Sequence, residues 1–284
     1  MRFFALYTPT SDTDARAELL KKSCEERGVE FLVINPQTFD FTAPNPLQAG
    51  DALYRIAPSK AARVIERFLI RKDTVTLYQN NDRTFFEADN ILLYKRHDIS
   101  VPKTIPYLSN DRTFLKKAVA YVGGFPLIIK AMGGSHGVGV VRVDSLPSLF
   151  SLADVFATWP QRFVIKQYID NPSHARLIVL GNQVVDSIRY TAQGEDFRSN
   201  VGTKPQVTPE KFSPEIETLA VRAVTAIGTE FGGVDILLDK EGRAYVAETN
   251  FPCYFPRAQK ITGTDISGKI IDYLLKKSEE LLKK

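Results

Sequence analysis

Val234-Asp235-Ile236-Leu237-Leu238 and Tyr245-Val246-Ala247-Glu248-Thr249-Asn250 are two apolar runs separated by the turn residues Lys240-Glu241-Gly242. This arrangement predicts a β-hairpin. Glu248 and Asn250 are two residues apart and therefore lie on the same face of their strand, and pairing brings Asp235 near them. Two carboxylates and an amide offer the oxygen ligands that a hard cation such as Mg²⁺ prefers, usually together with substrate phosphates. An ordinary hairpin with a polar, solvated face explains the same residues, so the other segments decide between the two interpretations.

The composition is that of a globular protein with one large domain or two modest ones. The chain has 284 residues, of which 44% are hydrophobic and 25% are charged, which is enough for a sizeable core. A net charge of +4 and a pI of about 8.9 suit an anionic small ligand or an acidic partner. We expect no binding of nucleic acid, because no run of Lys and Arg and no platform of aromatic and basic residues stands out.

Cysteine usage and hydropathy indicate an intracellular, cytoplasmic protein. The two cysteines, Cys24 and Cys253, are too few for a disulfide framework. The apolar run at residues 3–7 is too short for a signal peptide and predicts a first strand. No run of about 20 apolar residues is present, so no membrane span is expected.

Residues 1–83 are predicted to form a small α/β unit. Strand-like and helical segments alternate along it, which predicts parallel pairing as in a βαβ unit. The predicted strands are residues 3–7, 29–34, 52–56 and 75–78, and the predicted helices are residues 12–27 and a segment capped by Ser59. The polar run Gln79-Asn80-Asn81-Asp82 marks the boundary to the next domain.

A glycine-rich hairpin is predicted in the second part of the chain. The strand 126–131 carries Lys130, then comes Gly133-Gly134-Ser135-His136-Gly137-Val138-Gly139, and then the strand 140–143. Glycines let a backbone approach a phosphate chain and expose successive N–H groups to anionic oxygens. No Gly-Lys-Ser/Thr and no helix follows, so the segment is neither a Walker loop nor a dinucleotide-binding fingerprint. A merely flexible loop is the alternative.

The remaining segments predict helices and antiparallel strands. The predicted helices are residues 84–97, 109–122, 146–156 and 264–284, and one that begins at Ser213-Pro214-Glu215. The predicted strands are residues 162–169 and a hairpin of residues 175–180 and 183–190 that turns at Gly181-Asn182. The polar loop 193–204 contains Asp196-Phe197-Arg198-Ser199-Asn200, where Arg198 suits a carboxylate or a phosphate.

In this order the segments resemble the ATP-grasp superfamily, and within it the RimK-like α-L-glutamate ligases. The resemblance rests on the lysine before the glycine-rich hairpin, on Lys166-Gln167-Tyr168-Ile169, on residues 196–200, and on Gly-Gly-Val-Asp-Ile-Leu with Glu-Thr-Asn. It implies a fold of class α/β (α+β), with an N-terminal Rossmann-like pre-ATP-grasp domain over residues 1–83 and an ATP-grasp domain over residues 84–284. Two α+β subdomains, residues 84–165 (central or lid) and residues 166–284 (metal and substrate binding), would clamp ATP.

The resemblance also implies roles for individual residues. Lys130 would contact ATP phosphates, and the glycine-rich loop would cover them through Gly133, Gly134, Ser135, His136, Gly137 and Gly139. The adenine would be read by Gln167, Tyr168 and Ile169, with His174 near the ribose. Arg176 would lie near the phosphates or the acyl phosphate, and Arg198 and Asn200 would face the transferred phosphoryl group. Asp235, Glu248 and Asn250 would hold Mg²⁺, with two ions expected and Mn²⁺ as an alternative.

The chain departs from the family pattern at several positions. Gln167 stands where a Glu that binds adenine is common, although Gln still donates and accepts. His174 stands where an Asp is common, and Glu87 stands where a second phosphate-binding Lys is expected. After Asn250 the chain continues as Phe251-Pro252-Cys253-Tyr254-Phe255-Pro256 rather than through small residues, which predicts an unusual amine pocket. Cys253 itself is either a small buried hydrophobic residue or a reactive thiol.

The implied activity is ATP-dependent carboxylate–amine ligation. A carboxylate would attack the γ-phosphate to give an acyl phosphate and ADP, and an amine would then displace phosphate to form an amide or peptide bond. The implied substrates are a small carboxylate and an amine, which are an amino acid, a peptide or the tail of a carrier protein; assembly into a homo-oligomer is left open. Two alternatives remain, an ATP-grasp kinase that stops after phosphoryl transfer and a nucleotide-binding module with reduced turnover.

Overall fold

The structure is a computed structural model that describes residues 1–9, 14–56, 58–81, 90–132, 138–160, 162–170, 173–191 and 205–283. Within these ranges the strands are β1 (Arg2–Leu6), β2 (Glu30–Ile34), β3 (Ala52–Arg55), β4 (Thr104–Ile105), β5 (Leu127–Ala131), β6 (Val140–Val143), β7 (Phe163–Gln167), β8 (Ser173–Leu180), β9 (Gln183–Thr191), β10 (Gln206–Pro209), β11 (Phe231–Leu238) and β12 (Ala244–Asn250). The helices are α1 (Ala15–Glu26), α2 (Lys60–Leu69), α3 (Asn90–Arg96), α4 (Arg112–Val122), α5 (Leu146–Ala157), α6 (Pro214–Ala226), α7 (Pro256–Thr262) and α8 (Ile266–Leu282). None of these helices is long and apolar enough to cross a membrane.

The N-terminal unit is a parallel sheet in the order β2-β1-β3, as the alternation of strands and helices predicts. One face of this sheet packs against α2, and the other packs against α1, α8 and one end of the five-stranded sheet described below. The strand expected over residues 75–78 is not formed. Val75 makes one bridge to Ala52, and Tyr78 makes one bridge to Thr229, which ties the N-terminal unit to the segment before β11.

The second unit is an antiparallel four-stranded sheet in the order β4-β7-β5-β6. Helices α4 and α5 cover its apolar face. Helix α4 begins later than the expected residue 109, because Asp111 is the N-cap and its side chain accepts a hydrogen bond from the Phe114 N–H at 2.6 Å. Of the helix expected over residues 84–97, α3 accounts for Asn90–Arg96, and residues 82–89 lie outside the described ranges.

The expected division between residues 165 and 166 falls inside β7. Lys166 pairs with β4 and β5, and Gln167 pairs with β5, so β7 belongs as a whole to the four-stranded sheet. A division placed after Gln167 keeps these hydrogen bonds within one unit.

The third unit is an antiparallel five-stranded sheet in the order β10-β9-β8-β11-β12. Helix α6 packs on one face of it. The opposite face has an apolar end, which packs on the N-terminal unit and α8, and a polar end, which is turned toward the four-stranded sheet. Strand β10 and helix α7 are not expected from the sequence patterns used above, whereas the hairpins β8–β9 and β11–β12 are.

Candidate active site

The polar end of the five-stranded sheet carries a partly buried ion pair. Asp235 of β11 lies directly opposite Arg176 of β8. Arg176 donates from Nε to Asp235 Oδ1 at 2.6 Å and from Nη2 to Oδ2 at 2.7 Å. The Asn250 amide of β12 donates to Asp235 Oδ2 at 3.3 Å. The Asp235 carboxylate is therefore held in one orientation from both neighbouring strands.

A β-bulge decides which face of the sheet Glu248 occupies. Ile236 pairs with Val246, but Asp235 pairs with Glu248, so Ala247 is the extra residue of β12. If the pairing continued without this bulge, Ala247 would stand opposite Asp235 and the Glu248 side chain would point to the other face. The bulge thus brings Asp235, Glu248 and Asn250 to one face, in the way that bulges re-aim side chains beside functional sites.

Two lysines of the four-stranded sheet reach across to β12. Lys130 of β5 donates to Glu248 Oε2 at 3.0 Å, and Lys166 of β7 donates to the backbone carbonyl of Ala247 at 3.4 Å. The space between β5 and β7 on one side and β11 and β12 on the other is called the cleft below. Sequence reasoning identifies Lys130 but misses Lys166, although a lysine that follows the apolar residues 163–165 is a visible signal.

Charge pairing keeps Asp235 ionised in spite of its burial. Burial disfavours the carboxylate, but the charge and hydrogen bonds of Arg176 outweigh that effect and lower the pKa of Asp235 below its usual value. Burial likewise opposes the charge of Arg176, while Asp235 more than compensates and raises the pKa of Arg176. The pair is therefore charged at neutral pH.

His174 lies beside this ion pair. Its ring stacks on Tyr190, with centroids 4.8 Å apart and planes 1° apart, and its Nε2 lies 3.8 Å from Asp235 Oδ1. Burial lowers the pKa of His174, and the charge of Asp235 offsets this only in part, so the imidazole is neutral at neutral pH. A position near a ribose remains a prediction.

The strand expected to read the base borders the same cleft. Gln167 ends β7, its backbone N–H donates to the Lys103 carbonyl at 2.8 Å, and its side-chain oxygen accepts from the Lys103 N–H at 3.2 Å. Tyr168 and Ile169 follow directly, and the Arg142 guanidinium lies 4.9 Å above the Tyr168 ring. The Gln167 side chain thus has a backbone partner in this structure.

Gly139 marks the end of the glycine-rich segment. Its carbonyl accepts from the Ala131 N–H at 2.8 Å, and a Cβ at residue 139 would lie 2.8 Å from the Ala131 Cβ. Its φ is +81°, which side chains rarely allow. Residue 139, which directly precedes β6, must therefore be glycine. The other expected residues of the loop, and those of the 193–204 segment, lie outside the described ranges: Gly133, Gly134, Ser135, His136, Gly137, Arg198 and Asn200, as does Glu87.

Cys253 packs beneath the ion pair. It is fully buried, and burial raises the pKa of its thiol to about 12. The thiol is therefore protonated at neutral pH and behaves as a small hydrophobic residue, because the thiolate is the nucleophile.

The donor set on the cleft face fits a hard divalent cation. Asp235 and Glu248 are directly opposed, and Asn250 contacts Asp235. Among the described residues no group of three or more His, Cys, Asp and Glu gathers as a metal site. Two carboxylates and an amide agree with the way Mg²⁺ is bound when substrate phosphates supply further oxygens.

Comparison with known proteins identifies the family. The model of the RimK-like ATP-grasp domain matches residues 87–274. The chain belongs to this family. A probable α-L-glutamate ligase of Maridesulfovibrio salexigens is 28% identical over 281 residues, covering 92% of this chain and 91% of that protein. A probable α-L-glutamate ligase of Alkalilimnicola ehrlichii is 33% identical over 246 residues, covering 86% of this chain and 79% of that protein.

Solved structures show the same ATP-grasp fold. The ATP-grasp ligase PsnB complexed with minimal precursor has a TM-score of 0.74 at 18% identity, covering 97% of this chain and 99% of that chain. The D-cycloserine synthetase DcsG has a TM-score of 0.72 at 14% identity, covering 97% of this chain and 99% of that chain. The fold implies the use of ATP. The expectations of an α/β ATP-grasp fold and of a carboxylate–amine ligase are confirmed.

Proposed function

We propose that this RimK-like ligase activates a carboxylate as an acyl phosphate and transfers the acyl group to the amine of an amino acid or peptide. The observation that carries this proposal is the meeting of Arg176, Asp235, Glu248 and Lys130 at one cleft, from β8, β11, β12 and β5. A cleft with cations on both walls and a carboxylate pair on one of them suits a metal-bound polyphosphate.

Each residue has a distinct part in this reaction. Asp235, Glu248 and Asn250 would hold Mg²⁺, which when bound neutralises phosphate charge; we propose two ions, with Mn²⁺ as an alternative. Lys130 and Arg176 supply positive charge toward the phosphates and the acyl phosphate, and Arg198 and Asn200 face the transferred phosphoryl group. The glycine-rich segment between β5 and β6 covers the nucleotide and excludes water.

The proposed substrates follow from the relatives. Proteins named probable α-L-glutamate ligases match nearly the whole chain, and a structure of PsnB holds a minimal precursor. We therefore propose glutamate, or another acidic amino acid, as one substrate and a small molecule, peptide or carrier-protein tail as the other. The segment 251–256 after Asn250, with its three aromatic residues Phe251, Tyr254 and Phe255, borders the amine pocket in this proposal.

A screen of ADP release tests the proposal. Amino acids and small carboxylates are offered in pairs with ATP and Mg²⁺, and mass spectrometry identifies the product. We expect ADP release that requires both substrates, together with a new amide. ADP release with a phosphorylated product and no amide would instead identify a kinase, and nucleotide binding without substrate-dependent release would identify a binding module.

A further inference from the structure

An aromatic cluster lies at the surface of the N-terminal unit, on the α2 side of its sheet. The Phe41 ring lies 4.9 Å from the Phe39 ring and 5.3 Å from the Phe68 ring, measured between centroids. Val64 lies one turn before Phe68 on α2. Phe41, Val64 and Phe68 are 49%, 56% and 49% exposed. These four residues are called the apolar patch below, and a contiguous exposed patch of this kind marks an interaction site.

Positive charge borders the apolar patch. Glu66 is the one acidic residue of α2, and it is buried against Arg55. Lys60 lies one turn before Val64, and Arg67 lies one turn after it, so both flank the patch on the helix surface. All the exposed charged residues of α2 and of the three residues after it are basic, namely Lys60, Arg67, Arg71 and Lys72. The surface therefore combines exposed apolar groups with a cationic border.

The charge of this surface disfavours a second copy of the chain as its occupant. A two-fold interface places the same residues of both copies against each other, which here opposes cations to cations. Asp40 and Asp73 are the acidic residues next to the patch in the sequence, and Asp73 already pairs with Arg71 at 3.2 Å. The excess of cations favours an anionic partner instead.

The apolar groups of the patch project outward. Val64 and Phe68 lie on the exposed side of a helix whose opposite side is buried. Phe41 belongs to residues 40–44, all of which are exposed. A peptide helix is bound by laying its apolar face into a hydrophobic groove. The headgroup region of a bilayer accommodates projecting apolar groups, and its anionic phosphates attract Lys and Arg. The patch with its cationic border therefore fits an anionic lipid surface better than it fits a peptide.

We propose that the apolar patch and the cations around it bind an anionic lipid surface. Phe41, Val64 and Phe68 enter the boundary between the headgroups and the acyl chains, and the basic residues of the border contact lipid phosphates. The chain lies on the bilayer without spanning it. This surface uses no residue of the cleft, so the proposal is independent of the proposed function.

Vesicle sedimentation tests the proposal with the full chain. The probes are vesicles of phosphatidylcholine alone and vesicles of phosphatidylcholine with phosphatidylglycerol in a two-to-one ratio, each at low and at high salt. We expect the chain to bind the mixed vesicles at least about tenfold more tightly than the neutral ones at low salt, and to lose most of this difference at high salt. The double variant Val64→Ser/Phe68→Ser is expected to weaken binding to the mixed vesicles on the order of tenfold, because it removes groups that enter the bilayer.

A charge variant keeps the proposal testable if the loss of Phe68 perturbs α2. Lys60→Glu/Lys72→Glu leaves the aromatic contacts intact and should weaken binding to the mixed vesicles at least about tenfold. Thermal unfolding without vesicles monitors folding, and the controls should bind within about twofold of the unmodified chain. The matched controls carry the same two kinds of change at exposed positions of α4 and α5: Val155→Ser/Tyr121→Ser and Lys116→Glu/Lys117→Glu.

The other outcomes each overturn the proposal. Failure of the unmodified chain to bind the mixed vesicles removes it outright, and equal losses in the patch variants and the controls would show adsorption by overall charge. Unchanged binding by a folded Val64→Ser/Phe68→Ser would show that no apolar group enters the bilayer. Binding of poly-L-glutamate but not of vesicles would identify an acidic protein as the partner. A dimer of the unmodified chain that Val64→Ser/Phe68→Ser makes monomeric in analytical ultracentrifugation would identify a second copy.

Discussion

Gly233 shows how closely the ion pair of the cleft is packed. It lies one pleat from Asp235 on the same face of β11, and a Cβ there would lie 2.7 Å from Cys253 Sγ and 3.3 Å from Arg176 Cδ. Its φ is not in the left-handed region, so the requirement for glycine is one of space. Cys253, Gly233 and Arg176 thus form a close-packed stack under the Asp235 carboxylate.

We expect Gly233→Ala to displace Arg176 and to lower turnover on the order of a hundredfold, because an error of about 1 Å in a positioning group has effects of that size. The added methyl should also lower the free energy of unfolding by about 1–3 kcal/mol, measured in urea. Cys253→Ala makes room for the methyl, so the double variant should recover turnover that Gly233→Ala loses. Equal turnover in the single and double variants would show that the Cys253 contact is not the cause.

Asp51 is predicted to make stability depend on acid pH. Its buried carboxylate accepts from the Arg2 side chain, from the Arg2 N–H at 3.0 Å and from the Gln48 N–H at 2.7 Å. Burial opposes ionisation, but these hydrogen bonds and the charge of Arg2 lower the pKa of Asp51. Because the folded pKa is below the unfolded value of about 3.9, the carboxylate stabilises the fold above about pH 4 and this is lost as the pH falls through the folded pKa.

We therefore expect Asp51→Asn to unfold at lower urea concentration than the unmodified chain at pH 7, with the difference shrinking below about pH 4. Asp144→Asn is the control, since Asp144 is exposed and its pair with Arg142 is a surface pair. A difference that stays constant from pH 7 to pH 3 would show that the Asp51 charge is not what stabilises the fold.

At the scale of elements, the bulge in β12 shows where sequence reasoning stops. Alternation places Glu248 and Asn250 on one face of a strand, and the structure agrees. Alternation does not place them relative to Asp235, because that depends on register, and an unbulged hairpin would separate Glu248 from Asp235. A single extra residue, Ala247, brings them together, and nothing in its side chain indicates a bulge.

Two other differences between the predicted and the observed elements arise from local hydrogen bonds. Residues 75–78 have strand-like composition, but Val75 and Tyr78 form bridges to two different partners, so no continuous ladder forms. Helix α4 begins after the expected residue 109, because the Asp111 carboxylate caps it by accepting from the Phe114 N–H. The apolar runs of β1, β5, β8 and β11 are predicted well, since runs of 4–8 apolar, mostly β-branched or aromatic residues favour a strand.

A buried ion pair between Arg55 and Glu66 joins helix α2 to β3. Arg55 donates from Nε to Glu66 Oε2 at 2.8 Å, and the Tyr78 hydroxyl donates to the same oxygen at 2.9 Å. The Arg55 and Glu66 side chains are 5% and 6% exposed, so solvent cannot replace either partner. We expect Glu66→Ala to lower the free energy of unfolding by about 3–5 kcal/mol, because it removes the carboxylate that accepts from both the buried Arg55 guanidinium and the Tyr78 hydroxyl.

Urea unfolding measures this change, and Glu25→Ala on α1 is the control. Glu25 pairs with Lys21 at the surface with a side chain 63% exposed, so its removal should have little effect. Similar midpoints for Glu66→Ala and Glu25→Ala would show that the Arg55–Glu66 pair contributes no more than a surface pair.

At the scale of the whole molecule, the two large sheets are joined at the cleft by opposite charges. Lys130 on one sheet contacts Glu248 on the other at 3.0 Å, and the two side chains are 27% and 44% exposed. In the proposed function these two residues bind different partners: Lys130 contacts the phosphates and Glu248 binds the metal. Binding of nucleotide and Mg²⁺ in this proposal therefore breaks the Lys130–Glu248 contact between the sheets and replaces it with contacts to the two ligands.

This exchange predicts opposite effects of Glu248→Gln with and without metal. In EDTA the variant should bind ADP about two- to fivefold more tightly than the unmodified chain, because Lys130 is released and a carboxylate that repels phosphate is neutralised. With Mg²⁺ the gain in ADP affinity that the metal provides should fall on the order of tenfold, because a metal ligand has lost its charge. Calorimetry at both conditions measures the two affinities, with Glu279→Gln on the exposed side of α8 as the control. Equal weakening of ADP binding in EDTA and in Mg²⁺ would place Glu248 against the nucleotide rather than the metal, and the predicted exchange of the Lys130–Glu248 contact would then be wrong.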